Sequence, residues 1–436
     1  MTDMAKPEDP VLAPTFHEIF CCIRRREEKR LGLGVYKGSQ YSPAGGPAGE
    51  VIGDLLRAIQ SEEVSLLRHL TGLLDKVRLA LRVLGKDSSS VDLIRRFKPF
   101  QVAEWILAPS GVRPSYSYGI VSHQTPGTER EDGSIYDVAF AVSDASSTWR
   151  ILDIVCDLLQ YWEIVLREQT GLECTDFCQG ARRSLLGRVQ MTLFHDALSG
   201  EALPAKGSGP SRTVEAMAAD IRRRLERIVA HIQEHEAKRV RFERFTARDE
   251  EPSAPAHEDL MQLERLYFDD ATFLLSELVH LVDNVGKWLL ADRKTKQELS
   301  VIEDLKPFRV ASCYVNTQKH GVRGRNKATA VEDIVVHFLA PSGRASAKED
   351  FRIVDAVTLI NYEGDAWQAT SLADDLCQLW ELFLRNHTSV NTREFRVELA
   401  KLLLKRKELS VYSTRLPDGI KPYLQEWADD RKHLDV

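Results

Sequence analysis

Leu274, Leu275, Leu278, Leu281, Val282 and Val285 recur at steps of three and four with polar residues between them, a spacing that predicts an amphipathic helix with one apolar face. Leu66, Leu67, Leu70, Leu73 and Val77 repeat the pattern earlier in the chain. Both stretches run without a gap into Lys-Pro-Phe, at Lys98-Pro99-Phe100 and Lys306-Pro307-Phe308. Over residues 66–100 and 274–308, twelve of thirty-five positions are identical, against about two expected by chance. A second helix is expected around each Lys-Pro-Phe, broken or bent there, because proline removes a donor and favours extended backbone before it.

The period then changes. Val331 to Leu339 and Phe351 to Ile360 are rich in β-branched residues and flank a Pro-Ser-Gly loop, which predicts a β-hairpin. Tyr116 to Ser122 and Ile135 to Val142, around Pro126-Gly127, predict its counterpart. The register inside this region is ambiguous, since Leu107–Gly111 and Leu339–Gly343 both read Leu-Ala-Pro-Ser-Gly at a different offset from the helices. A third helix is expected after Asp144–Ser147 and after Gly364-Asp365. There the repeat resumes, pairing Trp149 with Trp367, Asp157 with Asp375, Gln160 with Gln378, and Trp162-Glu163 with Trp380-Glu381. The matched tryptophans read as core. A fourth helix is expected from Phe177 and Phe395, with Asn391 and Glu394 at capping-box spacing.

The fold class expected is therefore α+β, mainly α-helical, a tandem duplication of a helical module with an inserted β-hairpin. Residues 1–48 read as an irregular N-terminal segment, 49–201 as the first module, 202–256 as a linker, and 257–436 as the second module with a C-terminal tail. The linker opens on Gly, Ser and Pro and continues as a charged helix with Val214, Met217, Ile221, Leu225, Ile228 and Ile232 on one stripe. That stripe over 214–232 must bury against a module, another protein or a second copy of the chain. The two modules are expected to pack as a pseudo-symmetric pair, the arrangement a homodimeric ancestor would leave behind.

Composition narrows the function. No run approaches the roughly 18 uninterrupted apolar residues that span a bilayer, so no membrane partner is expected. The first apolar stretch is preceded by acidic residues and followed by Arg24-Arg25-Arg26, the reverse of a secretory signal's charge order, which predicts a cytoplasmic protein. Seven cysteines with no CxxC pair predict neither a disulfide scaffold nor a metal site, and no Gly-rich phosphate loop or nucleophile elbow is present, so no cofactor is expected. Cys174 and Cys178 read as buried thiols, and His231 and His235, four apart, as solvated helix surface. The arginines at 222, 223, 224 and 227 are able to track phosphates but are diluted by Asp220, Glu226 and Glu234.

The strongest local candidate lies between Phe308 and Trp367, where the second module gains a net ten residues. Tyr314 to Gly321, followed by Arg323, Arg325 and Lys327, leaves the second helix with no acidic residue from Cys313 to Val331. It is expected as a surface loop with a polar root. His320 there is suited to acid–base chemistry near neutral pH, with Asn316 and Lys319 supporting, and Arg323, Arg325 and Lys327 to neutralising a nucleic-acid backbone. The first module has Trp105 to Gly111 in its place, without histidine or amide. Asn316 followed four positions later by His320 at a helix end resembles the active-site pattern of HEPN-type domains, helical modules of prokaryotic toxin and phage-defence ribonucleases. That pattern is an Arg, commonly followed by a polar residue, with four to six residues between the Arg and a His. Val315 stands at the arginine position, and family members with an incomplete motif resemble binding or scaffold versions. The resemblance implies an RNA-directed component of a defence or toxin system. Three readings remain open: a nucleic-acid-binding or interaction protein, a metal-independent ribonuclease using His320, and a structural subunit that binds only protein.

Overall fold

The computed structural model describes residues 9–33, 47–108, 115–124, 131–143, 148–181, 212–246, 254–292, 294–320, 333–341, 351–363 and 365–399. The chain divides into two units, Met1–Gly209 and Pro210–Val436, so the linker helix belongs to the second unit instead of standing between modules. Both are α+β and mainly helical.

Unit 1 runs α1 (Ala13–Leu33), α2 (Pro47–Val83), a 3-10 helix (Ser89–Arg96), α3 (Lys98–Leu107), β1 (Ser115–Gln124), β2 (Glu131–Ser143), β3 (Thr148–Arg150), α4 (Ile151–Val165) and a short α5 at 175–181. A π turn, Leu166–Thr170, extends α4 and ends on Gly171, whose φ of 58° suits glycine. The three strands form one antiparallel sheet in the order β1-β2-β3. Val138, Phe140 and Val142 of β2 alternate into the core, as a one-faced sheet requires.

Unit 2 repeats this order as α6 (Arg212–Thr246), α7 (Ala254–Ala291), a 3-10 helix (Lys296–Leu299), α8 (Ser300–Glu303), α9 (Lys306–His320), β4 (Asp333–Pro341), β5 (Phe351–Tyr362), β6 (Asp365–Gln368), α10 (Ala369–His387) and α11 at 393–399. Its sheet is β4-β5-β6, again antiparallel. The predicted hairpins are β1–β2 and β4–β5.

Several side chains repeat their partners from one unit to the other. The Trp162 indole donates to the Leu70 carbonyl at 2.9 Å, and Trp380 donates to that of Leu278 at 2.9 Å. Glu163 is buried and paired with Arg167, and Glu381 with Arg385. Lys86 donates to the carbonyls of Thr170 and Gly171, and Lys294 to that of His387, in both cases tying the loop after the first long helix to the end of α4 or α10. Thr170 and Thr388 each bond the carbonyl four residues back and accept from the amide two residues on.

Residues 1–48 are not irregular throughout, because α1 buries Phe16, Ile19 and Cys22 along α2. Of the burials left open for the linker stripe, the one against a module is observed: Val214, Ile221, Leu225, Ile228 and Ile232 are buried on α6, which lies along α7 as α1 lies along α2. Trp149 and Trp367 sit on the short third strands and are half-buried, unlike the wholly buried Trp162 and Trp380. The two Leu-Ala-Pro-Ser-Gly pentapeptides are not equivalent, since Leu107 ends a helix while Leu339 to Pro341 form a strand. Lys-Pro-Phe does mark the break, with Lys98 and Lys306 opening α3 and α9 and proline in the first turn, where its missing amide costs nothing. Asn391 accepts from the Arg393 amide at 3.0 Å, two residues on instead of the three of a capping box.

Phe177 of α5 stacks on Phe16 of α1, ring centroids 4.5 Å apart, and Phe20 lies 5.9 Å away. A β-carbon built on Gly180 would come within 2.4 Å of the Phe20 ring. Gly180→Ala is therefore expected to push Phe20 out of place and cost unit 1 about 1–3 kcal/mol, read as a fall in denaturation midpoint. A cost below about 0.5 kcal/mol would show that the ring yields freely.

Candidate nucleic-acid interface

α9 presents two faces. Phe308, Val310, Ala311, Tyr314 and Val315 are buried, while Arg309, Asn316 and Gln318 are exposed. Tyr314 also anchors the helix through its hydroxyl, 2.8 Å from Thr272 Oγ1 on α7. The helix itself continues past the point where the first unit stops: α3 ends at Leu107, which aligns with Val315, and α9 continues for five residues more.

The segment expected as a surface loop is thus helical through His320. Tyr314 and Val315 supply the buried anchors, and no helix breaker intervenes before Gly321. Asn316 lies on the exposed face, its Nδ2 3.5 Å from Ser312 Oγ, and Thr317 returns its hydroxyl to the Cys313 carbonyl at 2.9 Å. Lys319 and His320 occupy the last two helical positions. His320 falls one turn beyond Asn316 along the helix. Arg323, Arg325 and Lys327 lie outside the described residues.

Val315, at the position of the arginine in the HEPN-type pattern, is 2 % exposed. It faces inward, away from the exposed Asn316.

The remaining candidates resolve into packing. On α6, Arg223 pairs with Asp220, while Arg224 and Arg227 converge on Glu277 of α7 at 3.5 and 3.3 Å, so three of the four arginines face a carboxylate. The His231 ring lies 4.0 Å from Phe273 at the α6–α7 seam, half-buried instead of solvated. Among the described residues no group of three His, Cys, Asp or Glu could hold a metal, and no helix is long and apolar enough to cross a membrane.

One arrangement carries no signal in the sequence, the charged seam between α1 and α2. Glu62 accepts from Arg25 and Lys29, and although burial alone would raise its carboxyl, these cations hold it below the usual glutamate range. Beside it Arg26 and Glu63 are buried together, 3.1 Å apart. The partners Arg26 and Glu63 lie 37 residues apart, too far for a local pattern to show. Cys174 and Cys178, read as buried thiols, are buried and bring their Sγ atoms within 3.7 Å of each other.

Comparison of the chain with protein-family models, with curated proteins and with solved structures gives no match to any of them.

Proposed function

We propose that the chain is a cytoplasmic nucleic-acid-binding protein that arose by tandem duplication of a helical module, with RNA contacted from the end of α9. One observation carries the reading: α9 continues five residues past the end of its counterpart α3 and brings Asn316, Lys319 and His320 to the edge of an acid-free, basic stretch of sequence. A helix C-terminus concentrates partial negative charge, which Lys319 complements, and the arginines that follow in sequence supply the cations that phosphates require. The duplication rests on the repeated identities and the repeated side-chain partners. It explains why one unit can hold the shared scaffold while the other diverges at a single helix end.

A second reading, a metal-independent ribonuclease, draws on the one-turn spacing of Asn316 and His320. Against it stands the inward Val315. The reading as a purely structural subunit loses its proposed contact, because the α6 stripe is covered within unit 2.

The test is binding of the purified chain to labelled RNA and DNA across a salt series, with an RNA integrity gel from the same tubes. Lys319→Ala is expected to weaken binding by several-fold and to reduce the slope of log K against log salt by about 1, while Arg323→Ala with Arg325→Ala reduces it by about 2. Absence of salt-dependent binding overturns the proposal. Cleavage that His320→Ala abolishes while binding persists transfers the assignment to the ribonuclease.

A further inference from the structure

Two thiols of unit 1 stand close enough to be joined. Cys174 lies immediately before α5, and its carbonyl accepts the Cys178 amide at 3.0 Å, so both side chains leave a single helical turn. Their Sγ atoms are 3.7 Å apart, and they are 4 % and 7 % exposed. Neither is in a disulfide. At the offset that pairs Trp162 with Trp380, the second unit has Thr392 and Arg396 instead, so the pair belongs to the first unit alone. Phe177, between the two cysteines, is wholly buried and is the residue on which Phe16 and Phe20 of α1 rest.

We propose that Cys174 and Cys178 are an oxidisable dithiol, closed to an intramolecular disulfide by exchange with a low-molecular-weight disulfide such as oxidised glutathione, and that this bond fixes the turn holding α1. Residues four apart in a helical turn have Cα atoms about 6 Å apart, within the roughly 4.4–6.8 Å that a disulfide spans. Position 174 precedes the first residue of α5, so its backbone is able to adjust without breaking that helix. Cys178, the more exposed, loses its proton and attacks one sulfur of the reagent. The reagent's S–S bond breaks, and one glutathione leaves as thiolate and takes up a proton. Deprotonated Cys174 then attacks the Cys178 sulfur of the mixed disulfide, and the second glutathione leaves in the same way. Two protein thiols are oxidised and one disulfide is reduced to two thiols. A single buried thiol is inert to such exchange, but a second thiol within the same turn converts the closing step into an intramolecular one once α5 opens locally.

The experiment incubates the full chain in glutathione buffers of increasing oxidised fraction, quenches with acid, alkylates remaining thiols in denaturant and maps the peptides by mass. The expected result is a peptide holding Cys174 and Cys178 that lacks both alkyl groups and weighs two hydrogens less, while Cys156 and Cys377 are fully alkylated. Amide exchange across residues 13–33 is expected to slow in the oxidised chain, and Cys178→Ala to abolish that change. Full alkylation of both thiols in a buffer that oxidises dithiothreitol overturns the proposal, as does a mixed glutathione disulfide that never closes. Closure with unchanged exchange in α1 overturns the link to that helix. Because the wild-type chain gives the primary readout, a variant that fails to fold does not blunt the test.

Discussion

Trp380→Ala is expected to lower the stability of unit 2 by about 3–5 kcal/mol, and Trp380→Phe by about 1 kcal/mol. The difference follows from what the indole does. Trp380 is wholly buried, meets Phe383 edge-on at 6.1 Å, and donates its N–H to the Leu278 carbonyl at 2.9 Å. Alanine removes the entire ring and opens a cavity that helices on several sides cannot all close. Phenylalanine keeps most of the volume and loses chiefly the hydrogen bond. Leu278 lies inside α7, so its carbonyl is also an acceptor in the helix ladder, and the second lone pair left by the indole is a small loss. Trp162 makes the same bond to Leu70, so Trp162→Phe is expected to cost unit 1 a similar amount. Chemical denaturation followed by unit-resolved amide exchange distinguishes the two, since one global transition cannot be assumed for a two-unit chain. If Trp380→Ala costs less than about 1 kcal/mol, the indole is not part of the core that the repeated geometry describes.

These tryptophans also show how far the sequence could be read. The helices with an uninterrupted apolar stripe, α2, α6 and α7, were legible because three- and four-residue spacing persists over many turns. The hairpins were legible from β-branched runs on either side of turn residues. The third strands were not: β3 and β6 are three and four residues long and run directly into α4 and α10, too short to show a period of two. Trp149 and Trp367, assigned to the core by their matched spacing, lie on those strands and keep part of their surface in solvent. α1 was missed for a different reason. Phe16, Ile19 and Cys22 begin an inward stripe, but its next member is Arg26, within the charged run Arg24 to Arg30. A cation at an inward position reads as a loop until its partner is known, and the partner is Glu63 on another helix. At the candidate interface, residue identity was legible and backbone was not. Asn316, Lys319 and His320 were picked out as a polar cluster, whereas their helical state depends on Tyr314 and Val315 being buried, which the five-residue polar stretch after them conceals.

Arg26→Ala is expected to destabilise unit 1 by about 3–5 kcal/mol, whereas the double replacement Arg26→Met with Glu63→Leu is expected to recover most of that loss. Arg26 is 2 % exposed and Glu63 is 0 % exposed. The guanidinium donates to Glu63 from Nε at 3.2 Å and from Nη2 at 3.1 Å, and its Nη2 also reaches the Val138 carbonyl of β2 at 3.5 Å, so one side chain ties α1 to both the second helix and the sheet. Removing the arginine takes from a buried carboxylate the cation that faces it, and the desolvation already spent on that carboxylate is no longer offset by their attraction. Replacing both residues removes the charge and the need for it together. Unit 2 supports the second outcome. At the same offset as the flanking leucines, the position of Glu63 is taken by buried Ala271, and α6 nonetheless lies along α7, held by Ile221, Leu225 and Ile228 with Arg224 and Arg227 reaching Glu277 at the edge of the seam. An apolar seam is therefore sufficient for this helix pair. The buried pair in unit 1 then gives register more than strength, since Arg26 meets Glu63 in one alignment of α1 on α2 only. Amide exchange of residues 13–33 checks both parts. The single variant should let α1 exchange through local opening, well ahead of global unfolding. The double variant should restore protection, and failure to do so would mean that the ion pair supplies the docking energy itself.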